Sequence, residues 1–189
     1  MIVETSNHKT YQVGLCGSYQ LKNIATTLTA IDQLTELDYK ISNSSIRKGF
    51  ENVTEITGFK GRWQQLQQAP TVITDTGHNV GGFRYIVEQL QAQTYKTLRI
   101  IIGMVNDKDI SAVLALLPVD ARYYFTQANI IRALPAEELK KQAESFGLKG
   151  EAYSSVKEAV REALEESDQN DFVFIGGSNF VVGEAIPIF

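Results

Sequence analysis

Apolar residues along this chain fall into short blocks with two different periods. Runs of consecutive apolar or β-branched residues bounded by polar turns predict strands over 72–75, 99–103, 121–126 and 172–175, with a weaker one over 149–153. Between them apolar positions recur every three or four residues, which predicts helices over 80–93, 110–117, 136–146 and 156–166. The ends agree with that reading. Pro135 precedes Glu137 and Glu138 at one helix start, Gly147 closes the same helix, and Ser154 or Ser155 opens the next. Strands alternating with helices imply an α/β fold: a mostly parallel sheet with helices on both faces.

The first 57 residues read differently. They predict one strand, over 11–16, and two helices, over 20–37 and 44–53, before Gly58 and Gly61 interrupt the periodicity. One strand leaves its backbone groups unpaired. The segment is therefore expected to be a short, mainly helical remnant of a larger body, unless its strand joins the sheet of the second part.

Composition narrows the classes. With 189 residues and 43% hydrophobic content, the chain can bury one sizeable core, or one core and a small satellite. A net charge of -4 without any Lys or Arg run argues against a nucleic-acid partner. The single cysteine, Cys16, excludes an internal disulfide and fits a reducing cytoplasm. No apolar run approaches the roughly 18 residues that a membrane span needs, so a soluble protein with no membrane partner is expected.

Candidate chemistry gathers where strands end. Thr71-Val-Ile-Thr-Asp-Thr-Gly-His-Asn79 runs from a buried strand into an acid, a glycine, an imidazole and an amide, and then into a helix. In an open parallel sheet, loops at the carboxyl ends of strands bind ligands. Three more polar loops fall on that edge: 103–109, 126–129 and Gly176-Gly-Ser-Asn179, the last opening a helix over 180–186 and having the parts of an anion site. Each has a plainer reading. Ser178 can simply cap a helix, His78 can be a hydrogen-bonded structural residue, Lys108 can sit in a solvated turn, and Arg62 can pack its stem on Trp63. Phe50, Trp63 and the tyrosines read as core, and Glu165-Glu-Ser-Asp168 as a solvated helix end. No cluster has metal-ligand spacing.

Taken in order, Leu15-Cys-Gly-Ser-Tyr-Gln20 with Asn23, Gly61-Arg62, Asp75-Thr-Gly-His-Asn79, Gly103-Met-Val-Asn-Asp-Lys-Asp109, Phe125-Thr126, Arg132-Ala-Leu-Pro-Ala-Glu-Glu138 and Gly176-Gly-Ser178 resemble the C-terminal portion of folylpolyglutamate synthases and their bifunctional dihydrofolate synthase relatives, in the Mur ligase superfamily. The resemblance implies an ATP-dependent ligase that phosphorylates a carboxylate of folate or dihydropteroate and lets the amine of L-glutamate attack the acyl phosphate. It implies ATP and magnesium as cofactors and a Rossmann-like second domain. By the same resemblance Asn23 and Arg62 contact the nucleotide, Asp75 holds its ribose or orders the hinge beside it, and His78 and Ser178 position glutamate. Asp107, Lys108 and Asp109 are expected to be structural, and no residue is assigned as catalytic.

Two positions depart from the pattern: Tyr19 stands in place of a histidine, and Val80 in place of a proline. The sequence also contains no Gly-x-x-x-x-Gly-Lys-Ser/Thr loop to cradle phosphates. The expectation is thus a fragment, inactive alone, with 1–57 the tail of the ATPase domain and 58–189 the glutamate-ligase domain. A homodimer through an exposed face of Ile24, Leu28, Ile31 and Leu34 is the expected assembly. Two rival readings stay open: a self-contained Rossmann-like module that binds an amino acid or nucleotide, and a domain of a different Mur-type ligase.

Overall fold

The computed structural model of the chain describes residues 1–6, 8–106 and 109–189, and these fall into two compact units, Met1–Arg62 and Trp63–Phe189.

The first unit opens with a hairpin. Strand β1 (Ile2–Glu4) pairs antiparallel with β2 (Thr10–Gln12), with Val3 opposite Tyr11. Helices α1 (Gln20–Glu36), α2 (Asn43–Glu51) and α3 (Val53–Thr57) follow. Ser42 caps α2 by accepting from the Ser45 amide at 3.1 Å, and Gly58, in the left-handed region at φ 68°, ends α3. The strand expected over 11–16 is therefore shorter and has a partner. That partner, β1, was not legible because three residues in a polar stretch carry no period. The expected exposed face of α1 also needs correction. Ile24 is buried with Tyr11 and Val13, and Leu28 packs on the same cluster, so the hairpin covers what periodicity alone left open. Leu34 does stay exposed.

The second unit is the α/β body. Its strands are β3 (Gln64–Gln67), β4 (Thr71–Asp75), β5 (Leu98–Ile102), β6 (Arg122–Phe125), β7 (Lys149–Ala152) and β8 (Phe172–Gly176). They lie in the order β3-β4-β8-β5-β6-β7, all parallel except β3, which runs antiparallel to β4 at the edge. β3 has the sequence Gln-Gln-Leu-Gln, which alternates nothing, and no strand was expected there. The helices are α4 (Val80–Gln91), α5 (Ile110–Leu114), α6 (Ala136–Glu144), α7 (Val156–Glu165) and α8 (Asn179–Ala185).

Side-chain alternation in the central strands explains both layers. Ile73, Ile100, Ile102, Tyr123, Phe125, Phe172 and Phe174 point to one face, where α4, α5 and α6 pack through residues such as Phe83, Val113 and Leu139. Val72, Ile101, Tyr124, Val173 and Ile175 point to the other, under α7 and α8. A strand buried on both faces has to be apolar at every position, which is why β5 and β8 read as continuous runs.

Arg99 breaks that run, and the fold answers it. The side chain is buried, and its Nε donates to Asp171 Oδ2 at 3.1 Å while Nη1 donates to Tyr124 Oη at 2.6 Å and to Glu166 Oε2 at 3.1 Å. Nη2 also donates to the Glu166 carbonyl, and Tyr124 Oη donates to Glu166 Oε2 at 2.6 Å. Glu166 was expected to be a solvated helix end. Instead it clamps a buried guanidinium through both backbone and side chain.

Candidate functional site at the carboxyl edge of the sheet

Strand order creates the site. Helices α4 and α5, which leave β4 and β5, lie on one face of the sheet, whereas α8, which leaves β8, lies on the other. β8 sits between β4 and β5, so its exit loop diverges from both neighbours and opens a crevice at their carboxyl ends. Gly176-Gly-Ser178 forms the centre of that crevice, with Asp75 to Asn79 on one side and the loop that begins at Gly103 on the other.

The backbone there is tightly packed. Gly177 has φ +97°, and a Cβ on it would lie 2.6 Å from the Gly103 carbonyl oxygen, so only glycine fits. Ser178 follows in extended conformation, is 3% exposed, and caps α8 by accepting from the Val181 amide at 3.1 Å. Its hydroxyl hydrogen is left to donate elsewhere. Both readings of Ser178 therefore coexist in one geometry, since the cap uses a lone pair and a ligand would use the proton.

Asp75 is 2% exposed, and both carboxylate oxygens accept from backbone amides: Oδ2 from Trp63 at 2.8 Å and Oδ1 from Gly77 at 2.8 Å. It thereby ties the start of β3 to the turn that leads into α4. His78, half-buried, places Nδ1 3.0 Å from the Thr76 carbonyl oxygen. A carbonyl only accepts, so Nδ1 carries a hydrogen, and whenever the ring is neutral Nε2 is an acceptor. Asn79 then caps α4 by accepting from the Gly82 amide at 2.9 Å.

Two residues of this edge had no assigned role. Thr126 is fully buried, and its hydroxyl has no hydrogen-bond partner among the described residues. Gln127 accepts from the Ala136 amide at 2.9 Å and so fixes the loop after β6. Asp109 caps α5, as its structural assignment required, by accepting from the Ala112 amide at 3.1 Å; Asp107 and Lys108 lie outside the described residues.

In the first unit the remaining candidates come together. Asn23 and Arg62 line a cavity of about 540 Å³ whose other walls include Ile24, Ile46, Phe50 and Phe59. Asn23 donates to Gln20 Oε1 at 2.8 Å, and the Arg62 guanidinium lies 5.1 Å from the Phe59 ring centroid. Arg62 thus stacks on Phe59, while Trp63 packs in the second unit against Phe172 and Phe174. An amide, a fixed cation and apolar walls can accommodate a nucleotide. Among the described residues no three His, Cys, Asp or Glu side chains form a group able to hold a metal, and no helix is long and apolar enough to cross a membrane.

Comparison with known proteins identifies the family. Residues 61–179 match the family model described as Mur ligase, glutamate ligase domain. The dihydrofolate synthase/folylpolyglutamate synthase of Escherichia coli is 30% identical over 169 residues, which cover 88% of this chain and 37% of that protein. The Mycobacterium tuberculosis folylpolyglutamate synthase solved with ADP superimposes with a TM-score of 0.78 at 25% identity, over 95% of this chain and 42% of that one. A bifunctional folylpolyglutamate synthase/dihydrofolate synthase solved with Mn, AMPPNP and L-glutamate gives a TM-score of 0.70 at 28% identity, over 85% of this chain and 38% of the other. The chain spans between 20% and 41% of the length of the curated relatives it matches. With the glutamate ligase model covering its sheet from β3 through β8, the chain belongs to the Mur ligase family.

Proposed function

We propose that this chain is the glutamate-accepting part of an ATP-dependent amide ligase that extends folate or dihydropteroate through an acyl phosphate. In this reading residues 1–57 are the tail of an ATPase domain and 58–189 the glutamate-ligase domain. The observation that carries it is the crevice at β8, where the Ser178 hydroxyl and the His78 imidazole stand on adjacent strand exits. Ser178 donates to a carboxylate of glutamate. His78, with Nδ1 held by Thr76, turns Nε2 toward the amine and accepts one of its hydrogens, which leaves a nitrogen lone pair to attack the acyl phosphate. Asp75 orders the hinge side of the site through Trp63 and Gly77.

Asn23 and Arg62 contact the nucleotide from the cavity of the first unit. The 189 residues contain no phosphate loop of the Gly-x-x-x-x-Gly-Lys-Ser/Thr kind, so the chain is expected to release no ADP in response to glutamate. Its test is binding. Titration of the chain with L-glutamate, followed by NMR chemical shifts, should perturb residues 76–79 and 176–180. Both His78→Ala and Ser178→Ala should weaken binding, by about 10-fold or more for each lost contact of roughly 1.5 kcal/mol. Shifts confined to other surfaces, or unchanged affinity in both variants, would refute the reading.

A further inference from the structure

Among the described residues three that are not glycine have a positive φ: His8, Asp38 and Trp63. His8 and Asp38 are exposed, and their residue types are common in that region. Trp63, at φ 45°, is a bulky aromatic directly before β3. A left-handed backbone is strained for such a residue and persists only where its surroundings enforce it.

Two contacts enforce it here. The indole packs on Phe172 and Phe174, with ring centroids 6.5 and 6.2 Å away, and the Trp63 amide donates to Asp75 Oδ2 at 2.8 Å. The pairing of Gln64 with Thr74 sets Trp63 across from Asp75, so the second contact is built into the register of β3 on β4. The other oxygen of the same buried carboxylate accepts from the Gly77 amide at 2.8 Å. Gly77 is packed so tightly that a Cβ on it would lie 2.5 Å from Ile86 Cδ1 and 3.2 Å from Asp75 Oδ1. A shift of the turn that carries His78 is therefore passed to the carboxylate. Trp63 is also joined by a peptide bond to Arg62, and because that peptide is planar, a change in φ of Trp63 is felt at Arg62.

We infer that Trp63 is a positioning residue that, through Asp75, couples the two sites proposed above, so that glutamate in the crevice firms its left-handed state and tightens nucleotide binding. Coupling of this kind rests on His78 and Ser178 holding glutamate and on Arg62 touching nucleotide. A ligand that orders residues 76–79 fixes the carboxylate, and with it a backbone state that otherwise competes with an unstrained one.

The test is the ADP affinity of the 189-residue chain, measured by NMR titration with and without saturating L-glutamate. The parent should bind ADP about 5-fold or more tighter when glutamate is present, and ADP should tighten glutamate by the same factor because coupling is reciprocal. Asp75→Asn, which keeps one acceptor oxygen for two amides, should reduce that factor to below about twofold. Trp63→Gly should do the same, since glycine takes either sign of φ without being held, whereas Trp63→Phe keeps a ring and the strain and should retain most of the coupling. A merely structural role would lower both affinities and leave their coupling unchanged. Equal ADP affinity with and without glutamate would overturn the inference, as would undiminished coupling in both Asp75→Asn and Trp63→Gly. In either case, shifts at 76–79 on adding glutamate that His78→Ala abolishes leave the crevice assignment standing. Failure of the parent to bind ADP would overturn the coupling alone, and failure to bind either ligand would overturn both.

Discussion

Replacing Arg99 by methionine should cost this fold more than any surface substitution. Arg99 is 5% exposed and Asp171 3%, so the variant leaves a buried carboxylate facing an apolar chain. Removing one partner of a buried pair costs about 3–5 kcal/mol, compared with at most about 1 for an exposed pair. With a urea dependence near 2 kcal/mol per molar, the unfolding midpoint should fall by roughly 1.5–2.5 M. Trp63 is the only tryptophan and packs on Phe172 and Phe174, so its fluorescence reports this unit directly.

The pair also predicts a pH signature. Burial by itself pushes the Asp171 carboxyl up, but the Asp168 amide and the Arg99 guanidinium together hold it below the ordinary value. A depressed carboxyl gives stability that is present above its unfolded value, near pH 4, and is lost as pH falls through the folded value. Without Arg99, burial dominates and protonation relieves the strain. The gap between Arg99→Met and parent should therefore narrow on acidification, beginning above about pH 4 where the raised Asp171 of the variant takes up its proton and continuing until the depressed Asp171 of the parent does so. Adding Asp171→Asn should recover part of the loss at neutral pH. A midpoint shift below about 0.5 M, or a gap that widens in acid, would show that the network contributes no more than a surface pair.

Two further outcomes test the site itself. Gly177→Ala should destabilise by roughly 2–4 kcal/mol in the same urea assay, from left-handed strain and a Cβ 2.6 Å from the Gly103 oxygen, whereas Gly183→Ala, in open space on α8, should be neutral or stabilising; equal effects would disprove the close packing. Asp75→Ala should cost about 2–4 kcal/mol by orphaning the Trp63 and Gly77 amides, and Asp75→Asn distinctly less because one acceptor oxygen remains; identical losses would mean that the carboxylate does not bind both amides.

Local pattern carried much of this architecture. The apolar blocks of β4, β5, β6 and β8 and the capped helices between them were legible because period and turn chemistry are properties of neighbouring residues. The strand-exit motifs at Asp75–Asn79 and Gly176–Ser178 were legible for the same reason, as was their shared edge, since parallel strands end together. What sequence could not supply was adjacency. Nothing in residues 172–178 says that β8 inserts between β4 and β5, and that insertion makes the crevice. β1 and β3 were invisible because their pairing is made with residues elsewhere in the chain. Arg99 left a trace, a charge inside an apolar run, but its partners Tyr124, Glu166 and Asp171 lie 25 to 72 residues away. Trp63 met Asp75 only through the register of β3 on β4. Periodicity decides which face of an element is buried, and only packing decides against whom.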